Sequence, residues 1–164
     1  MVTQLKFKEV LGRFATGITV ITAMESGQPV GFTCQAFAAL SLDPPMIAVA
    51  PAKSSTSWPK IAQAGAFCVN ILADDQGSIC RAFAVSGSDK FAGVRWYVGV
   101  TGAPILESCL ATIECELGDI YDAGDHELVT GTVVSLTSGR GKPLVFYRSN
   151  FVRISSDGMR DTHG

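Results

Sequence analysis

The stretch from Val30 to Pro45, VGFTCQAFAALSLDPP, decides the fold of this chain because it is a long apolar run with polar side chains at Thr33 and Gln35. Its aromatic, β-branched and small residues favour a strand, and the double proline favours a turn at its end. We expect one bent strand over 30–42, returning antiparallel to a strand over 18–22. A buried strand lined with hydroxyl, thiol and amide groups can bind a flat, apolar ligand that also forms hydrogen bonds.

Short apolar segments separated by turn signals make up the rest of the chain. The spacing from Phe7 to Phe14 predicts an opening amphipathic helix, and further helices are expected after Ser57 and after Asp74 or Asp75. Strands are expected over 46–50, 67–72, 112–116, 128–136, 144–147 and 151–154, with a bulge or bend at Gly118 and a loop-rich stretch over 86–102. Many strands without β–α alternation, and no G-x-G-x-x-G motif, favour one mainly β domain over 1–164, an antiparallel barrel with peripheral helices.

The composition of the 164 residues is that of a compact folded protein, with 47% hydrophobic and only 17% charged residues. So few charges predict that a second copy covers part of the apolar surface, and therefore a homodimer. A net charge of −2 without a basic cluster argues against nucleic acid as a partner. No apolar run reaches transmembrane length, and the first residues are too polar for a secretory signal.

The cysteines and histidines argue against a disulfide framework and against a metal site. The five cysteines, at positions 34, 68, 80, 109 and 115, lie in apolar sequence and show no C-x-x-C spacing. We expect free, mostly buried thiols in a reducing cytoplasm. His126 and His163 are too few and too far apart for zinc, so no metal is expected.

A second polar cluster, Lys53-Ser54-Ser55-Thr56-Ser57, follows the next apolar run. Its hydroxyls and its ammonium group are suitable donors to a phosphate, and the helix predicted after Ser57 would add backbone N–H groups. Without further context, the cluster could also be a polar loop and helix cap. Gln35, if buried, needs a partner, because an unpaired amide costs about 1–3 kcal/mol. Together the two segments predict a phosphorylated aromatic cofactor across strand ends.

Motifs along most of the chain resemble, in order, those of the short-chain flavin reductase family. These proteins are the reductase components of two-component flavin-dependent monooxygenases. The motifs are GRFATGITVIT at 12–22, PVGFTCQAFAALSLDPP at 29–45, APAKSSTSW at 50–58, FCVNIL at 67–72 with Gln76, Asp89-Lys90-Phe91, Gly124-Asp125-His126 and PLVFYR at 143–148. Within the family, the resemblance is greatest to the reductase subunits of monooxygenases that act in bacterial steroid-ring degradation.

The resemblance implies a six-stranded antiparallel split β-barrel that forms a homodimer and holds flavin near the subunit interface. It also implies that NADH reduces FMN or FAD, and that the reduced flavin leaves for a separate oxygenase component. The sequence does not distinguish FMN from FAD.

The resemblance also implies which residues form the site. Those expected to contact flavin are Phe32, Thr33, Cys34, Gln35 and Ala36, then Lys53, Ser54, Ser55, Thr56 and Ser57, and finally Asn70, Leu72 and Phe91. His126 is expected beside the flavin and the nicotinamide as the catalytic residue. Two of these have a simpler interpretation: Phe91 is equally compatible with the core, and His126 could be an ordinary turn residue.

Hydride transfer between two cofactors needs no protein nucleophile, which agrees with a sequence that shows no catalytic triad or carboxylate pair. Two alternatives remain open. One is a flavin-binding carrier without enzymatic activity. The other is an oxidase of the pyridoxamine-phosphate type on a similar barrel, which would need several basic residues around a substrate phosphate. The predicted site segments contain few such residues.

Overall fold

A computed structural model describes residues 1–155, and His163 lies outside the described residues. The described helices are α1 (Gln4–Leu11), α2 (Trp58–Ala64) and α3 (Gly77–Ala84). The strands are β1 (Thr16–Gly17), β2 (Thr19–Glu25), β3 (Gln28–Cys34), β4 (Phe37–Leu42), β5 (Pro45–Val49), β6 (Ala66–Ile71), β7 (Trp96–Val98), β8 (Pro104–Leu106), β9 (Ala111–Ala123), β10 (His126–Ser138), β11 (Val145–Tyr147) and β12 (Asn150–Val152). The prediction of a mainly β chain with peripheral helices is confirmed.

The main sheet has seven strands in the order β3-β2-β6-β9-β10-β5-β4. Every neighbouring pair is antiparallel, as predicted. The predicted number of six strands is wrong. The stretch 30–42, expected to form one bent strand, is broken at Gln35 and Ala36. Because β3 pairs with β2 while β4 pairs with β5, the two halves of the stretch lie at opposite edges of the sheet.

Two smaller sheets flank the main one, with the strand orders β1-β11-β12 and β7-β8. β7 lies within the segment 86–102, which was predicted to be rich in loops and contains this one short strand. A buried carboxylate holds the connection between β7 and β8, because the backbone N–H and the hydroxyl of Thr101 donate to Glu114 Oε2 at 2.9 and 2.8 Å. Short strands of this kind have too few alternating residues to give a clear sequence pattern.

The core lies on two sides of the central strands. Residues 19–23 of β2 are all buried, which a strand packed on both faces requires. The first cluster packs α2 on the sheet and includes Ile21, Phe32, Val49, Trp58, Ile61, Phe67 and Val129. The second packs α3 and includes Val20, Leu72, Cys80, Phe83, Leu106 and Leu144. Each fully buried large side chain contributes about 1.5–3 kcal/mol to the free energy of unfolding.

The first helix is amphipathic, but its apolar face is not buried within the described chain. Thr3 caps α1, since its Oγ1 accepts a hydrogen bond from the Lys6 backbone N–H at 3.2 Å. Leu5, Phe7 and Val10 are 49–81% exposed, and no residue of α1 is buried. Within residues 1–155, no helix has the length and apolar character needed to cross a membrane.

The caps of the other two helices differ from the predicted ones. Ser57 occupies the N-cap position of α2 but makes no side-chain capping bond; Ser55 Oγ instead accepts from the Trp58 N–H at 3.1 Å. Gly65 ends α2 with φ 74°, as predicted. α3 begins after Gln76, so the predicted caps, Asp74 and Asp75, are wrong.

The hairpin of β9 and β10 is the longest element of the sheet, with thirteen residues in each strand. The predicted irregularity at Gly118 is confirmed, since the register shifts between the pairs Val129–Ile120 and Gly131–Leu117. A Cβ at Gly118 would lie 2.4 Å from Thr130 Oγ1, so a larger residue there would force Thr130 to shift. The tight turn at the far end places His126 as the first residue of β10.

Candidate functional site

A cavity of about 760 Å³ lies where the break between β3 and β4 meets the segment after β5 and the start of β10. It unites residues from both predicted segments: Phe32, Thr33, Cys34, Gln35 and Ala36 from the first, and Ser54, Ser55 and Thr56 from the second. His126 and Lys90 also line this cavity. The volume is in the range of ligand pockets in proteins, about 300–1,000 Å³.

Backbone pairing explains how distant segments meet at the cavity. β10 pairs with β5 from Val129 to Thr132, and the pairing continues past the end of β5. There the N–H of Lys53 donates to the carbonyl of Asp125 at 2.9 Å, and that of Glu127 donates to Pro51 at 3.0 Å. The hydroxyl segment 54–56 is thereby fixed beside the turn that carries His126.

The residues of the β3–β4 break have specific contacts. The Thr33 hydroxyl donates to the Cys80 carbonyl at 2.6 Å and so joins β3 to α3. Gln35 is exposed rather than buried, and its Nε2 donates to Thr16 Oγ1 at 2.8 Å. Burial raises the pKa of the Cys34 thiol to about 11, so Cys34 is protonated at neutral pH and is not a nucleophile.

The second segment contributes hydroxyl groups to the cavity, but its lysine does not line it. Ser54, Ser55 and Thr56 line the cavity, whereas Lys53 forms an ion pair with Asp122 of β9. Ser57 lines a neighbouring cavity instead. α2 has only seven residues, so the expected contribution of its N-terminus to anion binding is not supported. The hydroxyl groups are the donors that remain for a phosphate.

The cation at the cavity is Lys90, whose role the sequence patterns did not reveal. Its Nζ donates to the carbonyls of Gly31 and Phe83 at 3.0 and 3.1 Å and to Ser57 Oγ at 3.3 Å. Burial lowers the pKa of Lys90. Within residues 1–155 its ammonium group pairs with no carboxylate, so its charge is available to an anion in the cavity. The local sequence, a lysine between an aspartate and an aromatic residue, does not indicate that the lysine would lie at the cavity.

His126 combines a fixed backbone with a partly exposed ring. It follows a two-residue turn in which Gly124 has φ 75°, a conformation that glycine adopts without strain. The His126 side chain is 44% exposed, and its Nδ1 lies 2.7 Å from Asp125 Oδ1. The hydrogen bond to His126 lowers the pKa of the Asp125 carboxyl. An ionised Asp125 accepts from Nδ1–H, which leaves Nε2 for a ligand of the cavity.

Besides Lys53 and Ser57, three other predicted flavin contacts do not line this cavity. Asn70 is fully buried, and its amide donates to Val20 O and Thr22 Oγ1 and accepts from the Leu106 N–H, at 2.8–3.0 Å. Leu72 is fully buried in the α3 cluster. Phe91 packs on Phe83 with ring centroids 4.9 Å apart and lines the neighbouring cavity. The structure gives Asn70 and Leu72 a place in the core, so we leave both out of the proposed site.

The walls of the cavity include apolar side chains outside the predicted set. Phe37 and Phe83 line it together with Phe32, and so do the exposed residues Leu11 and Phe14. Phe32 is held by an edge-to-face contact with Trp58, their centroids 6.5 Å apart. Trp58 Nε1 donates to Glu127 Oε2 at 2.5 Å, which connects this wall to the residue after His126.

The cavity therefore fits a flavin mononucleotide unit by the chemistry of its lining. Aromatic side chains suit the faces and the dimethylbenzene edge of the ring system. Side-chain hydroxyls and amides suit the carbonyl and N–H groups of its pyrimidine edge. Ser54, Ser55 and Thr56 supply hydroxyl donors for a phosphate, and Lys90, whose three N–H groups already donate within the chain, adds a positive charge.

The comparison with protein families agrees with this chemistry. The sequence model of the flavin reductase like domain matches residues 11–155, which include every residue of the cavity. The chain belongs to this flavin reductase family. The resemblance of its motifs is thereby confirmed, and the chain is a flavin oxidoreductase.

Relatives of this flavin reductase have related names and the same fold. It is 48% identical over 153 residues, 93% of this chain and 78% of the relative, to the reductase subunit HsaB of a flavin-dependent monooxygenase from Rhodococcus jostii. The crystal structure of nitrilotriacetate monooxygenase component B from Mycobacterium thermoresistibile superposes with a TM-score of 0.92 at 43% identity, covering 97% of this chain and 93% of the other. The NADH:FAD oxidoreductase SgcE6 from Streptomyces globisporus, in complex with NAD and FAD fragments, gives 0.90 at 29% identity, covering 95% of both chains. These names favour the reductase over the carrier and the oxidase.

Proposed function

We propose that the 760 Å³ cavity holds flavin and the nicotinamide of NADH together, and that this flavin reductase supplies reduced flavin to a separate oxygenase component. The observation that carries the proposal is the meeting of the 32–36 segment, the 54–56 hydroxyl segment and His126 at one cavity of a flavin reductase domain. Relatives named as reductase subunits of flavin-dependent monooxygenases support the separate oxygenase.

The lining residues have distinct roles in this proposal. Phe32, Thr33, Gln35 and Ala36 contact the ring system, and Ser54, Ser55, Thr56 and Lys90 bind the phosphate. Gln35 is oriented by Thr16 and can present its amide oxygen to an N–H group of the ring. Lys90 is held by two backbone carbonyls, so its charge is preorganised before any ligand binds.

When bound, NADH and flavin supply the hydride donor and acceptor between them, so the protein needs no nucleophile. The chain contributes binding, orientation and exclusion of water. His126 Nδ1 lies 2.7 Å from Asp125 Oδ1, and Nε2 would accept a hydrogen bond from the carboxamide group of the nicotinamide. Hydride transfer would be efficient only if the protein held the nicotinamide ring and the flavin ring in a fixed relative orientation.

Purified protein is expected to oxidise NADH only when FMN or FAD is added, with NADH favoured over NADPH by about tenfold, which corresponds to about 1.4 kcal/mol. Among the described residues, no arginine lines the cavity to bind a 2′-phosphate. The measurement is the loss of NADH or NADPH absorbance with each flavin. Equal efficiencies would reject the preference, and no oxidation with any combination would reject the function.

The variant Ser54→Ala/Ser55→Ala is expected to weaken flavin binding about three- to tenfold, because hydrogen bonds to a charged phosphate are lost at a partly exposed site. The Ser55 hydroxyl also caps α2, so the unfolding midpoint is measured alongside. Flavin titration followed by fluorescence gives the affinity. The single variant Ser138→Ala is the matched control, since Ser138 is exposed and lines neither this cavity nor the neighbouring one. If the double variant binds flavin with unchanged affinity, this segment does not bind the phosphate.

We also propose that the chain forms a homodimer through the apolar face of α1. Leu5, Phe7, Val10, Leu11 and Phe14 expose 49–81% of their surface on this helix and the turn after it. Such a contiguous apolar face is unusual for a monomer. Leu11 and Phe14 also line the cavity, so the second copy would lie beside the flavin.

Light scattering at micromolar concentration is expected to give twice the 17.3 kDa mass of the chain. Phe7→Glu/Val10→Glu should shift the protein to monomers, because each charge would be buried in the interface without a partner. Lys8→Glu, on the same helix, is the control for charge alone. A wild-type protein that scatters as a monomer would refute the proposal.

We place the protein in the cytoplasm on the basis of its thiols. All five cysteines are free, and four of them are buried. Free thiols persist in a reducing compartment, whereas secreted proteins of this size more often form disulfides. Measuring the thiol content of protein isolated under non-reducing conditions, with blocking at lysis, tests this placement.

A further inference from the structure

A second cavity, of about 310 Å³, adjoins the flavin cavity. Thr56 and Lys90 line both cavities, so these two residues stand at the junction. The segment 54–60 passes from the first cavity, at Ser54, to the second, at Lys60. This volume is at the lower end for ligand pockets and suits a nucleoside better than a whole dinucleotide.

We propose that the second cavity binds the adenylate half of FAD, so that this reductase prefers FAD to FMN. The inference rests on the proposed function of the first cavity. The diphosphate would lie at the junction of the two cavities, with the riboflavin unit in the first and the adenosine in the second. The order of riboflavin, diphosphate and adenosine along FAD then matches the order of the first cavity, the junction and the second cavity along the segment 54–60.

The charges at the junction favour a diphosphate. Lys90 lies between the cavities and Lys60 lines the second one, and within residues 1–155 neither forms an ion pair. The hydroxyls of Thr56 and Ser57 add two more donors. FMN has one phosphate and would leave Lys60 without an anionic partner, whereas the second phosphate of FAD supplies one.

The rest of the second cavity suits a nucleoside. Pro29, Val30 and Phe91 provide an apolar wall for a purine ring. The Phe91 ring is held by Phe83 and by Trp96, with centroids 4.9 and 6.0 Å away. Asp89 also lines the cavity, and a carboxylate is a suitable acceptor for the hydroxyls of a ribose. Phe91, predicted from sequence to contact flavin, would thus contact the adenine instead.

The test compares affinities for FAD and FMN by calorimetric titration of the whole chain. FAD is expected to bind about tenfold more tightly or better, a difference that corresponds to one good ionic contact. Lys60→Ala should lower the FAD affinity about three- to tenfold, since Lys60 is exposed, and leave the FMN affinity within about twofold. AMP, which carries only the phosphate that FAD has beyond FMN, should compete with FAD and not with FMN. Arg140→Ala, an exposed cation that lines neither cavity, is the matched control and should change neither affinity.

Equal affinities for FAD and FMN, with flavin-dependent NADH oxidation intact, would overturn this inference and leave the proposed function in place. NADH also contains an ADP unit. If Lys60→Ala instead raises the KM for NADH with FMN as the flavin, the cavity belongs to the nicotinamide dinucleotide and the inference is overturned. Absence of any flavin binding would overturn both the inference and the proposed function.

Discussion

Replacing Asn70 by alanine is expected to lower the free energy of unfolding by about 3 kcal/mol, because three buried hydrogen bonds are lost and the buried Leu106 N–H is left without its acceptor. Asn70 is fully buried, and its amide joins β6 to β2 through Val20 and Thr22 and to the end of β8 through Leu106. Urea denaturation measures the loss. Flavin affinity of the folded protein should stay nearly unchanged, since Asn70 does not line the flavin cavity.

The matched control is Gln35→Ala, which removes an exposed amide. The change in the free energy of unfolding there should remain within about 0.5 kcal/mol, as for most surface substitutions. The effects on flavin affinity are expected to be the reverse of those on stability. The affinity should fall for Gln35→Ala and stay nearly unchanged for Asn70→Ala. If Asn70→Ala leaves the urea midpoint unchanged and weakens flavin affinity tenfold, Asn70 contacts the flavin and belongs to the site.

The two amides show what the sequence could and could not predict. Gln35 and Asn70 both lie in apolar runs, so periodicity gives each of them the same interpretation, a polar group that needs a partner. Which partner is available depends on the neighbouring chain: Asn70 pairs with Val20 across the sheet, whereas Gln35 lies at the break between two strands. Strand pairing is non-local, and a single sequence carries no direct record of it.

The set of residues that line the cavity also depends on non-local strand pairing. The hydroxyl segment and His126 could be predicted as site residues through the family resemblance, but their proximity arises from pairing between 51–53 and 125–127. Lys53 was the lysine predicted from sequence to contact flavin, whereas Lys90 is the lysine that lines the cavity. Lys53 stands next to the hydroxyls in sequence, but Asp122 of β9 is its partner, and Lys90 reaches the cavity from a distant loop.

Local signals were predictive where one segment determines its own structure. The apolar spacing of α1, the glycine that ends α2 and the irregularity at Gly118 all followed from neighbouring residues. The break at Gln35 and Ala36 was missed, because nothing in an apolar run of small residues indicates where β3 must leave one edge of the sheet and β4 join the other.

His126→Ala is expected to lower the efficiency of flavin reduction by NADH about five- to hundredfold, the cost of one lost positioning hydrogen bond of about 1–3 kcal/mol. The His126 side chain lines the cavity, and because Nδ1 contacts Asp125 Oδ1, Nε2 is the ring nitrogen that remains for a ligand. Flavin affinity should change little, because the phosphate and ring contacts lie on other segments. Stopped-flow reduction of the flavin-saturated variant across NADH concentrations measures the effect.

The Ser54→Ala/Ser55→Ala variant is the reciprocal control, since it should weaken flavin binding and spare the reduction rate of bound flavin. His126→Gln should recover part of the lost efficiency, because the glutamine Oε1 can accept a hydrogen bond from a position close to that of Nε2. A general effect on the fold would lower the urea midpoint and would not be rescued by glutamine. Reduction of His126→Ala at the wild-type rate at every NADH concentration would reject the role, leaving His126 as the first residue of a strand after a tight turn.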